Sequence, residues 1–255
     1  MNTNQELNRV EVCFTPCDFH QYEEGFDLIV VIDVLRATSA ICTAIEYGVK
    51  GIIPVATVEE AKEYKKKGYI VAAERNGTIV EGFDIGNSPY TYMKPELKGQ
   101  TIALTTTNGT KAIRIAEQKK TVVIGSLNNL ESLCSWLVKQ KRDVLILASG
   151  WKDKFNLEDT ICGGSITDTL LESGQFTSEE DSSVAAKFIY RSAKENIFAY
   201  LKASSHRRRL RALDLNADVS YCLTPNNLSA IPILKNGILV PLEDVVEEME
   251  IQNKR

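Results

Sequence analysis

Histidine is almost missing from this 255-residue chain, which has only His20 and His206. That scarcity excludes a histidine-built transition-metal site. There is no Arg-His-Gly for a phosphohistidine route, and a Ser-His-Asp triad would have to draw on one of two residues. The six cysteines, Cys13, Cys17, Cys42, Cys134, Cys162 and Cys222, include no Cys-x-x-Cys pair. With no apolar leader in Met1 to Arg9, reduced structural thiols and a cytoplasmic location are expected. No run reaches the roughly 18 apolar residues of a spanning helix, so no membrane partner is expected. Basic excess is absent too: the net charge is -4, which argues against nucleic-acid binding despite the cluster His206-Arg207-Arg208-Arg209 and Arg211. Neither a phosphate loop ending in Gly-Lys-Ser/Thr nor a Gly-x-Gly-x-x-Gly fingerprint occurs, so nucleoside triphosphate and NAD chemistry lack support.

What is present is alternation. Leu28-Ile29-Val30-Val31-Ile32 is a continuous apolar run, as in a strand covered on both faces. A helix over about Ala37 to Tyr47 follows, stopped by Gly48. Ile52 to Val55 reads as a strand, and Thr57-Val58-Glu59-Glu60 opens a lysine-rich helix with a capping box. Strands at Ile70–Ala73, Thr101–Leu104, Thr121–Ile124 and Val144–Leu147 alternate with helices near Thr110–Glu117 and Leu130–Lys139. This is the pattern of an α/β fold: a mostly parallel sheet with crossover helices and an active site at the C-terminal ends of the strands. Asp181 to Lys202 predicts one long amphipathic helix with Val184, Phe188, Ala193, Ile197 and Leu201 on its apolar stripe. Ile231 to Leu242 predicts a hairpin around Asn236-Gly237. One domain over residues 1–255 is expected. A lobe boundary near residue 174 is the alternative, because Ser173 to Ser183 is polar and turn-rich. Gly163-Gly164 suits close approach of a helix to the sheet or to a second copy, so a homodimer is among the expectations.

Chemically capable residues fall just after predicted strands. Asp33 can hold a hard cation such as Mg²⁺, Arg36 offers a planar donor fork, and Thr38 and Ser39 stand at a helix start that favours anions. Glu74 and Arg75 end another strand, as one ligand and one anion clamp or as a plain ion pair. Thr105 to Thr110 is an unbroken polar run at a strand-to-helix turn. There Thr106, Thr107, Asn108, Gly109 and Thr110 supply hydroxyl, amide and backbone donors for an anion. Glu158 and Asp159 reach a metal from the first turn of a helix, or equally suit its dipole behind an Asn156 cap.

Five ordered motifs carry a resemblance. They are Val31-Ile-Asp33-Val-Leu-Arg36-Ala-Thr38, Glu74-Arg75-x-Gly77, Gly82-Phe-Asp84-Ile-Gly86-Asn87-Ser88-Pro89, Thr105-Thr-Thr-Asn108-Gly109-Thr110, and Gly150-Trp151 with Glu158-Asp159. Together with Ser205-His206 to Asp218-Val219 they resemble the 2-phosphosulfolactate phosphatase family. The resemblance implies an α/β phosphatase that hydrolyses 2-phospho-3-sulfolactate with Mg²⁺, a step towards coenzyme M. Its expected catalytic residues are Asp33, Arg36, Glu74 and Arg75, and its metal ligands Asp33, Glu158 and Asp159. Substrate contacts are expected from Thr38, Ser39, Asn87, Ser88, Thr106 to Thr110 and His206. Two positions depart from the pattern: Arg207 and Asp214 stand where glycine is usual. The alternatives are a phosphatase for another small hydroxy-acid or sugar phosphate, and a non-catalytic anion-binding module.

Overall fold

The structure is a computed structural model and describes residues 7–22, 24–119 and 121–253. Its strands are β1 (Asn8–Cys13), β2 (Leu28–Ile32), β3 (Gly51–Pro54), β4 (Ile70–Arg75), β5 (Thr78–Ile79), β6 (Thr101–Thr105), β7 (Thr121–Gly125), β8 (Val144–Ala148), β9 (Phe176–Thr177), β10 (Pro232–Lys235) and β11 (Ile238–Pro241). Its helices are α1 (Ala37–Glu46), α2 (Val58–Lys66), α3 (Pro89–Tyr92), α4 (Gly109–Ala116), α5 (Leu130–Gln140), α6 (Leu157–Glu172), α7 (Asp181–Ala193), α8 (Ile197–Tyr200), α9 (Ser205–Ala212), α10 (Asn216–Cys222) and α11 (Leu242–Asn253). No helix among the described residues is long and apolar enough to cross a membrane.

The strands form one mixed sheet in the order β5-β4-β6-β3-β11-β10-β7-β2-β8-β1-β9. Parallel pairing joins β4, β6 and β3 in one half and β7, β2, β8, β1 and β9 in the other. Between them sits the expected hairpin β10–β11, antiparallel internally and to both flanking strands. Those successive reversals leave the two halves running in opposite directions, so the sheet is less uniformly parallel than βα alternation alone implies.

Side-chain alternation sorts the strands into layers. Val30 and Ile32 of β2 pack with residues of α5 and α6. Ile29 and Val31 join Ile52, Ala72, Ile102 and Leu104 from the opposite half, together with Ala40 and Ile41 of α1 and Ala112 and Ile113 of α4. Ile53, Val71 and Ala103 face outward against Ala61 of α2. Helices α1 and α4 therefore share one core with the inner faces of both halves. Enclosure explains why α1 is buried at every position from Ala37 to Ile45 and why the strands lack polar alternation.

The segment after 173 supplies β9, which pairs with β1, and then α7, which packs on α6. Gly164 makes that packing possible: a Cβ there would lie 2.0 Å from the Ala186 carbonyl oxygen. The long amphipathic helix predicted over Asp181 to Lys202 is instead α7, then α8, then a 3-10 turn at Leu201–Ala203. Asn196 restarts the chain, its side-chain oxygen accepting the Ala199 N–H at 2.8 Å. Of the predicted stripe, Ala193, Ile197 and Leu201 are buried, whereas Val184 and Phe188 are exposed and Ser183 and Ala186 face inward in their stead.

Candidate active site

Strand register assembles the site. Ile32 is paired with both Gly125 and Ala148, so Asp33, Ser126 and Ser149 leave the sheet side by side. In the other half Ala73 is paired with Thr105, which sets Glu74 beside Thr106. The two edges converge on a pocket lined by Asp33, Leu35, Arg36, Glu74, Gly77, Asn87, Thr107, Asn108, Trp151, His206 and Leu210. Its empty space is about 270 Å³ with the mouth included. The walls stand close, and α9 forms one of them.

Asp33 is the central carboxylate. The Gly109 N–H at the start of α4 donates to it, and a Cβ on Gly109 would come within 2.8 Å of its Oδ2. Burial pushes the Asp33 carboxyl up to about 7; the charge of His206 opposes this, and Glu74 and Glu158 add to it. Glu74, also buried, accepts the Gly77 N–H. Thr107 Oγ1 and Asn87 Oδ1 are buried without a protein partner.

The opposite wall comes from α6 and α9. Glu158 Oε1 accepts His206 Nδ1–H at 2.6 Å, and its Oε2 accepts the Ser204 hydroxyl at 3.2 Å. Ser204 also caps α9 through the Arg207 N–H. One carboxylate thus fixes both the imidazole and the helix that carries it, and His206 Nε2 remains for the pocket. Trp151 packs on the His206 ring at 4.9 Å. It is presented by a tight turn in which Trp151 and Lys154 exchange backbone hydrogen bonds of 2.7 and 3.1 Å. Gly150 enters that turn at φ +61°, with the Lys154 oxygen 2.4 Å from where a Cβ would be, so only glycine fits.

Several expected contacts lie outside the pocket wall. The Thr38 hydroxyl accepts the Asp33 N–H at 3.0 Å, and the Ser39 hydroxyl donates to the Val34 carbonyl at 3.0 Å. Both brace the 33–39 turn. Thr106 and Thr110 bond reciprocally at 3.2 and 3.3 Å. Of the expected cradle, then, Thr107 and Asn108 line the pocket, while Gly109 reaches it through its N–H. Arg75 donates to the Glu74 carbonyl and the Thr105 hydroxyl, and Ser88 precedes α3 without lining the pocket. Arg36 does line it, but its guanidinium is held by Asp218 at 2.7 Å and the Gly77 carbonyl at 2.9 Å.

The expected metal set changes most. Asp159 accepts the Val34 N–H at 2.8 Å, the Gly150 N–H at 3.1 Å and the Asn156 amide at 2.8 Å. Burial raises its carboxyl well above the usual range, with Asp33 and Glu158 adding to the rise. Asp159 ties the ends of β2 and β8 to α6, and Glu158 is engaged by His206 and Ser204. Among the described residues, no group of three His, Cys, Asp or Glu stands together as a metal cage. Asp33 and Glu74 are the carboxylates that line the pocket. Two oxygen donors suit Mg²⁺, which keeps most of its shell for water and phosphate. The pairing of Glu158 with His206, 48 residues apart, has no local sequence signal. Trp151 and Gly77 did stand in the motifs, although without an assigned role.

The departures from the family pattern also find reasons. Asp214 sits at φ +56°, where glycine is unstrained and Asp is tolerated. Arg207 is buried, stacked 4.3 Å over Phe198 and bonded to Asn216 at 2.8 Å, so it is part of the packing of α9.

Comparison with known proteins gives the same direction. The family model described as 2-phosphosulpholactate phosphatase matches residues 13–237. Curated relatives named "Probable 2-phosphosulfolactate phosphatase" include one from Caldanaerobacter subterraneus subsp. tengcongensis, 38% identical over 85% of this chain and 91% of that protein. Another is from Clostridium acetobutylicum, 38% identical over 90% and 98%. A third, from Thermotoga maritima, is 37% identical over 91% and 97%. The names describe phosphoric monoester hydrolases, and this chain belongs to the 2-phosphosulfolactate phosphatase family.

Proposed function

We propose that this protein hydrolyses 2-phospho-3-sulfolactate to 3-sulfolactate and inorganic phosphate with Mg²⁺, in a route of the coenzyme M type. The observation that carries the reading is convergence: Asp33, Glu74, Asn87, Thr107, Asn108 and His206, scattered through the chain, line one polar pocket. Asp33 and Glu74 would hold Mg²⁺, which neutralises charge on the phosphate when bound. The unpartnered Thr107 hydroxyl and the Asn87 side chain orient the phosphoryl oxygens. His206, fixed through Nδ1 by Glu158, offers Nε2 to protonate the departing C2 oxygen as water attacks phosphorus. The bond from phosphorus to the ester oxygen breaks as the bond to water's oxygen forms; the alcohol leaves with the proton from His206, and the proton released by the attacking water restores the imidazole. A loose phosphoryl transition state demands most help at the leaving oxygen, which suits an acid on this wall.

The test is inorganic phosphate release from racemic phosphosulfolactate and a panel of small phosphate esters, with Mg²⁺ and with EDTA. Metal-dependent release, strongest with phosphosulfolactate, is expected. Release favouring another hydroxy-acid or sugar phosphate would change the substrate, and no release at all would favour an anion-binding module.

A further inference from the structure

Arg36 lines the pocket, and Arg75, Arg207 and Arg209 are chain neighbours of Glu74, His206 and Leu210, which line it; the hydrogen bonding of these four buried or half-buried guanidinium groups differs. Arg36 is engaged by Asp218 and Gly77, Arg75 by Glu74 and Thr105, and Arg207 by Asn216. Arg207 leaves its Nε buried and unmet, and Arg209 leaves both Nε and Nη2, a whole edge. These two nitrogens form one edge of the guanidinium plane, the edge that grips an oxyanion with two parallel N–H bonds. A desolvated cationic edge with no acceptor is costly, so an unmet one points to a ligand.

Its position is equally specific. The Arg209 guanidinium lies 4.2 Å from the Trp151 ring, and stacking of this kind fixes the plane of an arginine. Trp151 lines the pocket, as do His206 and Leu210 on either side of Arg209 in α9. Asp33, Glu74, Thr107 and Asn87 lie at the phosphate end. Arg209 is itself absent from that lining and adjoins it through the Trp151 ring on which it stacks.

Resting on the phosphatase reading, we propose that Arg209 is the specificity residue: it receives the substrate's second oxyanion, the sulfonate, through Nε and Nη2. Trp151 holds it at the spacing that puts the ester oxygen against His206. Arg209 takes no part in P–O cleavage. It selects substrates carrying a strong anion a few bonds from the phosphate.

Wild type, Arg209→Ala and Arg209→Lys should be compared on phosphosulfolactate and on phenyl phosphate, which has no second anion. The expected result for Arg209→Ala is a KM for phosphosulfolactate raised about a hundredfold, with kcat/KM for phenyl phosphate within threefold of wild type. Lysine, a point charge without the fork, should recover only part of the loss. Equal loss on both esters, or no loss on either, would overturn the assignment. If wild type hydrolyses neither ester, the phosphatase reading fails separately. Calorimetric titration then still decides the inference, because Arg209→Ala should weaken binding of 3-sulfolactate and leave binding of inorganic phosphate unchanged. Unchanged 3-sulfolactate binding would refute it.

Discussion

Asp33 and Asp159 are buried carboxylates close enough to influence each other's charge, yet they live differently. Asp159 receives three N–H donors from three segments, and it joins two strand ends to a helix. Asp33 receives one backbone N–H and faces the pocket. The same contrast runs through the site. Thr106 and Thr110 satisfy each other while Thr107 is left open, and Arg36 is bound in an ion pair while Arg209 is not. The layer whose bonds are complete holds shape, and the layer whose bonds are incomplete awaits a ligand.

The strongest way to break this comparison is to exchange the consequences of the two acids. Asp33→Asn should lower kcat/KM about a thousandfold while leaving the fold intact, measured by phosphate release alongside thermal unfolding. If activity survives, Asp33 is no more reactive than Asp159.

The next largest effect concerns pH in metal-free protein. A carboxyl raised to about 7 on folding contributes stability that is complete below its unfolded value of about 4. That contribution is lost as pH rises towards 7. Unfolding of wild type and Asp33→Asn in EDTA should therefore diverge with pH. Wild type should lose up to about 4 kcal/mol relative to the variant between pH 4 and 8. Parallel curves would mean that Asp33 is not desolvated.

Asp159→Asn should do the reverse of Asp33→Asn. An amide there points N–H at N–H, so stability should fall by about 2 kcal/mol. Activity per folded molecule should stay within about tenfold of wild type, since no pocket contact is lost. A denaturant titration paired with active-site counting separates the two quantities.

The smallest change sharpens the picture at the opposite wall. Glu158→Gln keeps an acceptor for His206 Nδ1 and removes only the charge, so kcat should drop about tenfold. A drop as deep as that of Asp33→Asn would recast Glu158 as a direct participant.

Much of the architecture was legible because burial on both faces writes itself as unbroken apolar strands, and turn chemistry at Asn236-Gly237 marks the hairpin. The polar runs after Ile32, Ala73 and Leu104 located the pocket for a related reason, since each marks the place where the sheet stops covering the chain. What stayed hidden was which polar atoms would satisfy one another. Thr106 and Thr107 are identical as letters, and only the geometry of the turn separates the bonded hydroxyl from the free one. The break in the predicted helix at Asn196 was concealed because Val184 and Phe188 imitate a core stripe while facing outward. The union of Glu158 with His206 is tertiary, and no local pattern encodes it.

The hairpin β10–β11 has a consequence for how the chain is made. It lies centrally in the sheet, yet it follows both flanking halves in sequence. During vectorial synthesis β3 and β7 must each wait with an unpaired edge until residues 232–241 leave the ribosome, and edges in that condition recruit other chains. Nascent protein cut short before Pro232 should therefore be a client of chaperones rather than a smaller enzyme.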